Sequence, residues 1–172
     1  MALPHRDSVQ RAADLLGVLL FDADPAAVAE VLRSHGEPEV RLSSEDIAEL
    51  RAAARELREV FAAPDVASAA SALNRLFAAY ARPPRLTDHA DGYGWHLHVD
   101  AADDGPWGRW LVTSSALGLA NLLAERQDVP GGLCASPSCG KPFAHTGGGS
   151  PRKFCSSRCA TRERVAAHRA RG

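Results

Sequence analysis

Leu133 to Gly172 reads LCASPSCGKPFAHTGGGSPRKFCSSRCATRERVAAHRARG, and all four cysteines of the 172-residue chain lie inside it. Their spacing is Cys134-x4-Cys139-x15-Cys155-x3-Cys159. Zinc takes four thiolates tetrahedrally, and two close pairs separated by a loop are the usual way for a short segment to supply them. Two disulfides or buried free thiols would use the same residues. A reducing compartment disfavours the first, and the polar neighbourhood disfavours the second. The set therefore reads as one structural zinc ion per chain. With its four positions filled it has no open position for catalysis, and His145 and His168 are spare donors without a vacancy.

Around the first pair, Pro137 and Gly140-Lys141-Pro142 suit a tight turn whose backbone amides reach the sulfurs. The stretch KPFAHTGGGSPRKF (141–154) predicts two short extended pieces joined by a turn at Gly147-Gly148-Gly149. Cys155 and Cys159 stand at the start of a terminal helix. Knuckle, hairpin and ligand-bearing helix, in that order, are the layout of a treble-clef finger.

Charge divides the chain. From Cys134 onward there are eight Lys or Arg against Glu163 alone, which leaves twelve basic and twenty acidic residues elsewhere. A basic end on an acidic body suits a polyanion, although the body can also simply neutralise its own tail. On the terminal helix Arg158, Arg162 and Arg169 recur close to one face, and Arg164, His168 and Arg171 form a neighbouring row. Arg152 and Lys153 precede Cys155, and Val165 and Ala166 are expected to pack back toward the zinc. Lys and Arg rows contact phosphates, and an arginine fork also reads guanine. These eight residues are the candidate nucleic-acid contacts. DNA fits better than RNA, because Phe143 and Phe154 are the module's only aromatics and offer no stacking platform. A solvated helix, or one docked on an acidic protein, would carry the same charges.

Upstream the periodicity is helical. Val9, Ala13, Leu16 and Leu20 mark a first helix, and Asp24-Pro25 opens a second that stops at Gly36. Ser43 or Ser44 begins a third, with Ile47, Leu50, Ala54, Leu57 and Phe61 on one side and Pro64 beyond its end. A fourth runs through DVASAASALNRLFAAYA. After Pro83-Pro84, RLTDHADGYGWHLHVD predicts a hairpin turning near Asp91-Gly92, with Trp95, Leu97 and Val99 on one face and His96 and His98 on the other. A long apolar helix follows (105–127) and is expected to pack on that hairpin. Val129 to Gly132 reads as a hinge. Trp95, His96, His98 and Trp107 form a candidate ligand site, although the histidines equally suit a hydrogen-bonding surface and the tryptophans helix packing. No catalytic constellation stands out. With no run of about 18 apolar residues a membrane span is not expected. Asp7 and Arg11 flank the first apolar stretch without a signal-peptide layout, so the cytoplasm is the expected compartment.

The segment from Cys134 resembles the CGNR zinc finger in CASPSCGKPF, RKFCSSRC and AAHRAR. At the family's Cys-Gly-Asn-Arg stretch this chain has Cys159-Ala160-Thr161-Arg162, matching the cysteine and the arginine but not the middle pair. Residues 8–126 resemble the ABATE domain that accompanies this finger, most plainly in GWHLHVD before a long helix. The resemblance implies a bacterial stress-induced transcription regulator.

The sequence thus predicts an α+β, mostly helical chain. A helical domain with a small β-hairpin spans 1–128 and a treble-clef-like finger ending in a basic helix spans 129–172. The expected function is zinc-dependent DNA binding, without enzymatic activity. The N-terminal domain would dimerise or sense a small-molecule effector, since one finger makes a small footprint and a second half-site adds affinity. The rival functions are a zinc-stabilised protein-interaction module and a small-molecule binder or enzyme centred on His96 and His98.

Overall fold

The computed structural model describes residues 4–21, 24–37, 40–88, 94–102, 105–147 and 152–171. The expected turn at Asp91-Gly92, and Gly148-Gly149 of the glycine turn, lie outside them.

The second, third and fourth helices start where the sequence provides side-chain caps. Helix α1 is Pro4–Leu19, with Val9, Ala13 and Leu16 buried. Helix α2 (Pro25–Ser34) begins where the Asp24 carboxylate accepts from the Ala26 amide at 3.3 Å. Helix α3 (Ser44–Phe61) has a reciprocal cap. The Ser43 hydroxyl accepts from the Asp46 amide at 3.1 Å, and the Asp46 carboxylate accepts from the Ser43 amide at 2.8 Å. Donation from the Ser43 hydroxyl, at 2.7 Å, and from its amide holds the Asp46 carboxyl below its ordinary value. Helix α4 (Val66–Tyr80) is capped by Asp65, which accepts from the Ser68 amide at 2.7 Å. The predicted face of α3 is buried throughout, from Ile47 to Phe61.

Strands β1 (Arg85–Thr87) and β2 (His96–His98) pair antiparallel, with Leu86 opposite Leu97. Helix α5 (Trp107–Arg126) follows and packs against α1, α3 and α4. Its buried residues, among them Leu111, Val112, Ser115, Ala116, Leu119 and Leu122, lie on more than one side. A helix apolar nearly all round belongs in the middle of a bundle. The expectation that α5 packs chiefly on the hairpin is therefore corrected: it is the bundle's central helix and only touches β2. The outer hairpin face stays bare, with Trp95 72% and Leu86 65% exposed.

The stretch read as a hinge is also corrected. Gly131–Leu133 forms strand β3, paired antiparallel with β4 (Pro142–Ala144). The finger's hairpin thus closes around the first cysteine pair rather than within 141–154. Ala144 is fully buried in the same core cluster as α1 and α3. At Gly131 a β-carbon would lie 2.5 Å from the Phe143 carbonyl oxygen and 2.6 Å from the Phe61 ring. Glycine is required here for space, so the strand can lie flat on the end of α3. From α5, the Arg126 guanidinium donates to the carbonyls of His145 and Gly147, tying the end of the hairpin to the bundle. Gly131→Ala should cost about 1–3 kcal/mol, because backbone would have to move to admit the methyl. Urea unfolding followed by helical circular dichroism reads this. An unchanged midpoint would mean that the hairpin is not part of the bundle's core.

Candidate metal centre and nucleic-acid interface

The chain reverses between β3 and β4 through a tight turn, closed by the Cys139 amide on the Ser136 carbonyl at 2.9 Å. Gly140 follows with φ +67°, a left-handed conformation that a side chain would strain. Cys134 and Cys139 stand at the two ends of this turn. The second pair arrives with helix α6 (Ser157–Arg169), whose cap is the Ser156 hydroxyl accepting from the Cys159 amide at 3.3 Å. The Ala135 amide bonds the Lys153 carbonyl at 2.9 Å, joining the two halves beside the sulfurs.

All four Sγ atoms lie within 4.8 Å of one another. Cys139 and Cys155 are 3.6 Å apart, and Cys155 and Cys159 are 3.8 Å apart. A zinc–sulfur bond of about 2.3 Å in a tetrahedron requires sulfur–sulfur edges of about 3.8 Å, whereas a disulfide bond is about 2.05 Å. The donor set fits one structural Zn2+, held by Cys134, Cys139, Cys155 and Cys159.

Without the ion Cys134 and Cys155 differ in their affinity for protons. Burial raises Cys134, but hydrogen bonds from the Cys155 and Ser136 amides, with the neighbouring thiols, outweigh it and lower the group from 9.0 to about 7. Burial pushes Cys155 up to about 12, helped by the crowding of Cys139, Cys134 and Cys159. The depressed Cys134 contributes stability above its ordinary value and loses it as pH falls through about 7. The raised Cys155 contributes below its ordinary value and loses it as pH rises through about 12. Zinc displaces whatever protons remain. Affinity should therefore fall on acidification, and its slope against pH should steepen by about one proton below pH 7, where Cys134 also has to be deprotonated. A chelator competition series from pH 6 to 8.5 measures this. A constant slope would mean that the metal-free site loses the folded geometry.

Around the sulfurs is a polar cluster that the sequence reading did not find. Arg162 Nη2 donates to Cys159 Sγ at 3.4 Å and to the Ser136 hydroxyl at 2.7 Å. Buried Ser136 donates in turn to Glu163 at 2.6 Å. Arg162, a candidate nucleic-acid contact, is bonded to the metal site while its side chain stays 45% exposed. Arg152, also exposed, donates to the Ala144 carbonyl at 2.6 Å and lies 5.3 Å over the Phe143 ring. Glu163 carried the available signal, as the single acid of a basic module. Val165, expected to pack toward the zinc, is 44% exposed, and Ala166 is exposed too. The reason is that α6 meets the rest of the finger near its start, through buried Cys159 and through Arg162 and Glu163 on Ser136, and Val165 and Ala166 lie beyond that contact. Lys153, Arg158, Arg164, His168, Arg169 and Arg171 are all exposed.

The candidate ligand site is a different arrangement. His98 Nδ1 lies 3.0 Å from buried Asp100, which also accepts from Arg85 at 2.7 Å. His96 Nδ1 is 2.8 Å from the Gly94 carbonyl, and the two imidazoles meet edge to face at 4.9 Å. Arg85 neutralises the carboxylate that a second metal would need. Trp107 packs edge to face on Trp110 at 5.3 Å, against the core. Surface hollows of about 580 and 240 Å³ lie elsewhere, between α3 and α4 and beside Leu19 to Phe21.

The family described as CGNR zinc finger matches residues 132–172, which span β3, the four cysteines and α6. No curated protein matches the chain. No helix among the described residues is long and apolar enough to cross a membrane.

Arg162→Gln should weaken zinc retention by about 10–100-fold, as loss of a bond to a metal ligand does. Arg162→Lys, which lacks the fork that spans Cys159 and Ser136, should recover only part. Competition with a chromophoric chelator measures both. Retention equal to the parent's would reduce the Arg162 contact to packing.

Proposed function

We propose that the chain is a zinc-dependent DNA-binding transcription regulator that contacts DNA through α6. The observation carrying this reading is the contrast between the two ends of that helix. Its first two turns are fixed by Cys159, Arg162 and Glu163, while everything from Arg164 to Arg171 is exposed. Outward arginines on a fixed base suit a phosphate row, and Glu163, the one acid of α6, accepts from Ser136. The likeness of residues 132–172 to the CGNR zinc finger supports the same reading, and a knuckle followed by a ligand-bearing helix supports a treble-clef-like form, although the hairpin here encloses the knuckle instead of following it. The resemblance of residues 8–126 to the ABATE domain gives the helical part a sensing or dimerising role in a stress response. The reading places the protein in the cytoplasm and assigns it no catalysis, because four thiolates close the zinc.

Five cations are available to phosphate: Lys153, Arg158, Arg164, Arg169 and Arg171. If all five engage, log affinity for duplex DNA should fall with log salt at a slope of about −4.5, and Arg169→Ala should reduce the slope by about one. Fluorescence anisotropy at several salt concentrations, with the zinc-loaded full chain, tests this. Salt-insensitive binding, or none, would instead assign α6 to a protein partner.

A further inference from the structure

We infer that Thr161, Val165 and His168 form the strip of α6 that meets base edges in the major groove, with Val165 against a thymine methyl group. This rests on the DNA-binding reading above and names the part of the helix that would carry sequence preference.

The three residues follow at intervals of four and three, so at 3.6 residues per turn they share an arc of about 60° on the side away from Cys159. All three are exposed, and Val165, at 44%, is the large apolar side chain that α6 presents to solvent. Arg158 and Arg169 lie along one border of the strip, Arg164 and Arg171 along the other. Glu163 and Arg162 are bonded at the metal site. A helix entering a major groove about 12 Å wide places its flanks beside the two phosphate rows and its leading strip on the base edges. The cations occupy the flanks, and smaller side chains occupy the strip.

The length also fits. From Thr161 to His168 the helix rises about 10 Å, which covers about three base steps of 3.4 Å. The thymine C5-methyl is the apolar group on the floor of that groove, and an aliphatic side chain is its usual contact. The Thr161 hydroxyl and a His168 ring nitrogen can exchange hydrogen bonds with the bases on either side. One exposed valine between arginine rows offers too little apolar area to anchor a protein interface.

The test begins with selection of random-sequence duplexes by the zinc-loaded full chain, in parallel with Val165→Ala and Arg169→Ala. Zinc content and helical circular dichroism establish that the variants are folded; both positions are exposed, so neither change opens a cavity. The parent's selected duplex is then remade with each thymine in turn replaced by uracil, which lacks the methyl group. The parent should prefer about three consecutive base pairs and lose about fivefold or more at one uracil position. Val165→Ala should bind the thymine and uracil duplexes alike, with the parent's salt slope. Arg169→Ala should weaken selected and unselected duplexes equally and keep the uracil effect. A uracil effect that survives in Val165→Ala, or that is missing in the parent, overturns the strip while leaving DNA binding intact. Failure of the parent to bind any duplex overturns both.

Discussion

Four thiolates within 4.8 Å of one another repel too strongly to ionise together without a cation among them. In the metal-free site, burial with the neighbouring thiols pushes Cys155 up to about 12, while hydrogen bonds outweigh burial at Cys134 and lower it to about 7. A zinc ion removes the conflict by accepting all four. Its site keeps two negative charges, and the Ser136 and Cys155 amides on Cys134 and the Arg162 guanidinium on Cys159 meet part of that excess. The direction of α6 depends on this balance, because the helix meets the rest of the finger through buried Cys159 and, one turn on, through Arg162 and Glu163 beside the same site.

The other support of the finger is the bundle itself. Strands β3 and β4 are too short to be stable alone, and they gain stability by placing Ala144 and Gly131 against α1 and α3. Arg126 then ties the outgoing chain to the end of α5. Metal and core thus hold different parts of the finger, the core holding the hairpin and the ion holding the helix. Of the outward cations, most stand on the half that the ion holds.

Much of this was legible in the sequence, for local reasons. The helices of the bundle follow from apolar spacing and from Asp24, Ser43 and Asp65, whose caps act within three residues. The metal ligands follow from spacing and residue type. What was not legible depends on contacts distant in sequence. The pairing of Gly131–Leu133 with Pro142–Ala144 is specified by the space beneath Phe61, so a Val-Pro-Gly-Gly run that reads as a hinge becomes a strand. The bond that holds Arg162 at the metal site depends on Ser136, twenty-six residues away. Charge alone cannot separate an arginine bonded to sulfur from one facing solvent, and two of the eight predicted nucleic-acid residues, Arg152 and Arg162, are bonded within the finger.

The same contacts account for Cys159-Ala160-Thr161-Arg162 standing where the finger's name has Cys-Gly-Asn-Arg. Residues 160 and 161 lie inside the first turns of α6, where neither needs a left-handed backbone, so a glycine is not required for conformation. Ala160 is half-buried and Thr161 is exposed. Cys159 supplies a thiolate, and Arg162, one turn later, is placed by helix geometry to donate back to it. The two matching positions are therefore the pair that holds the metal site. Of the two that differ, half-buried Ala160 sits on the flank of the helix and exposed Thr161 on its outer side, where a change alters what the helix presents without disturbing how it is held.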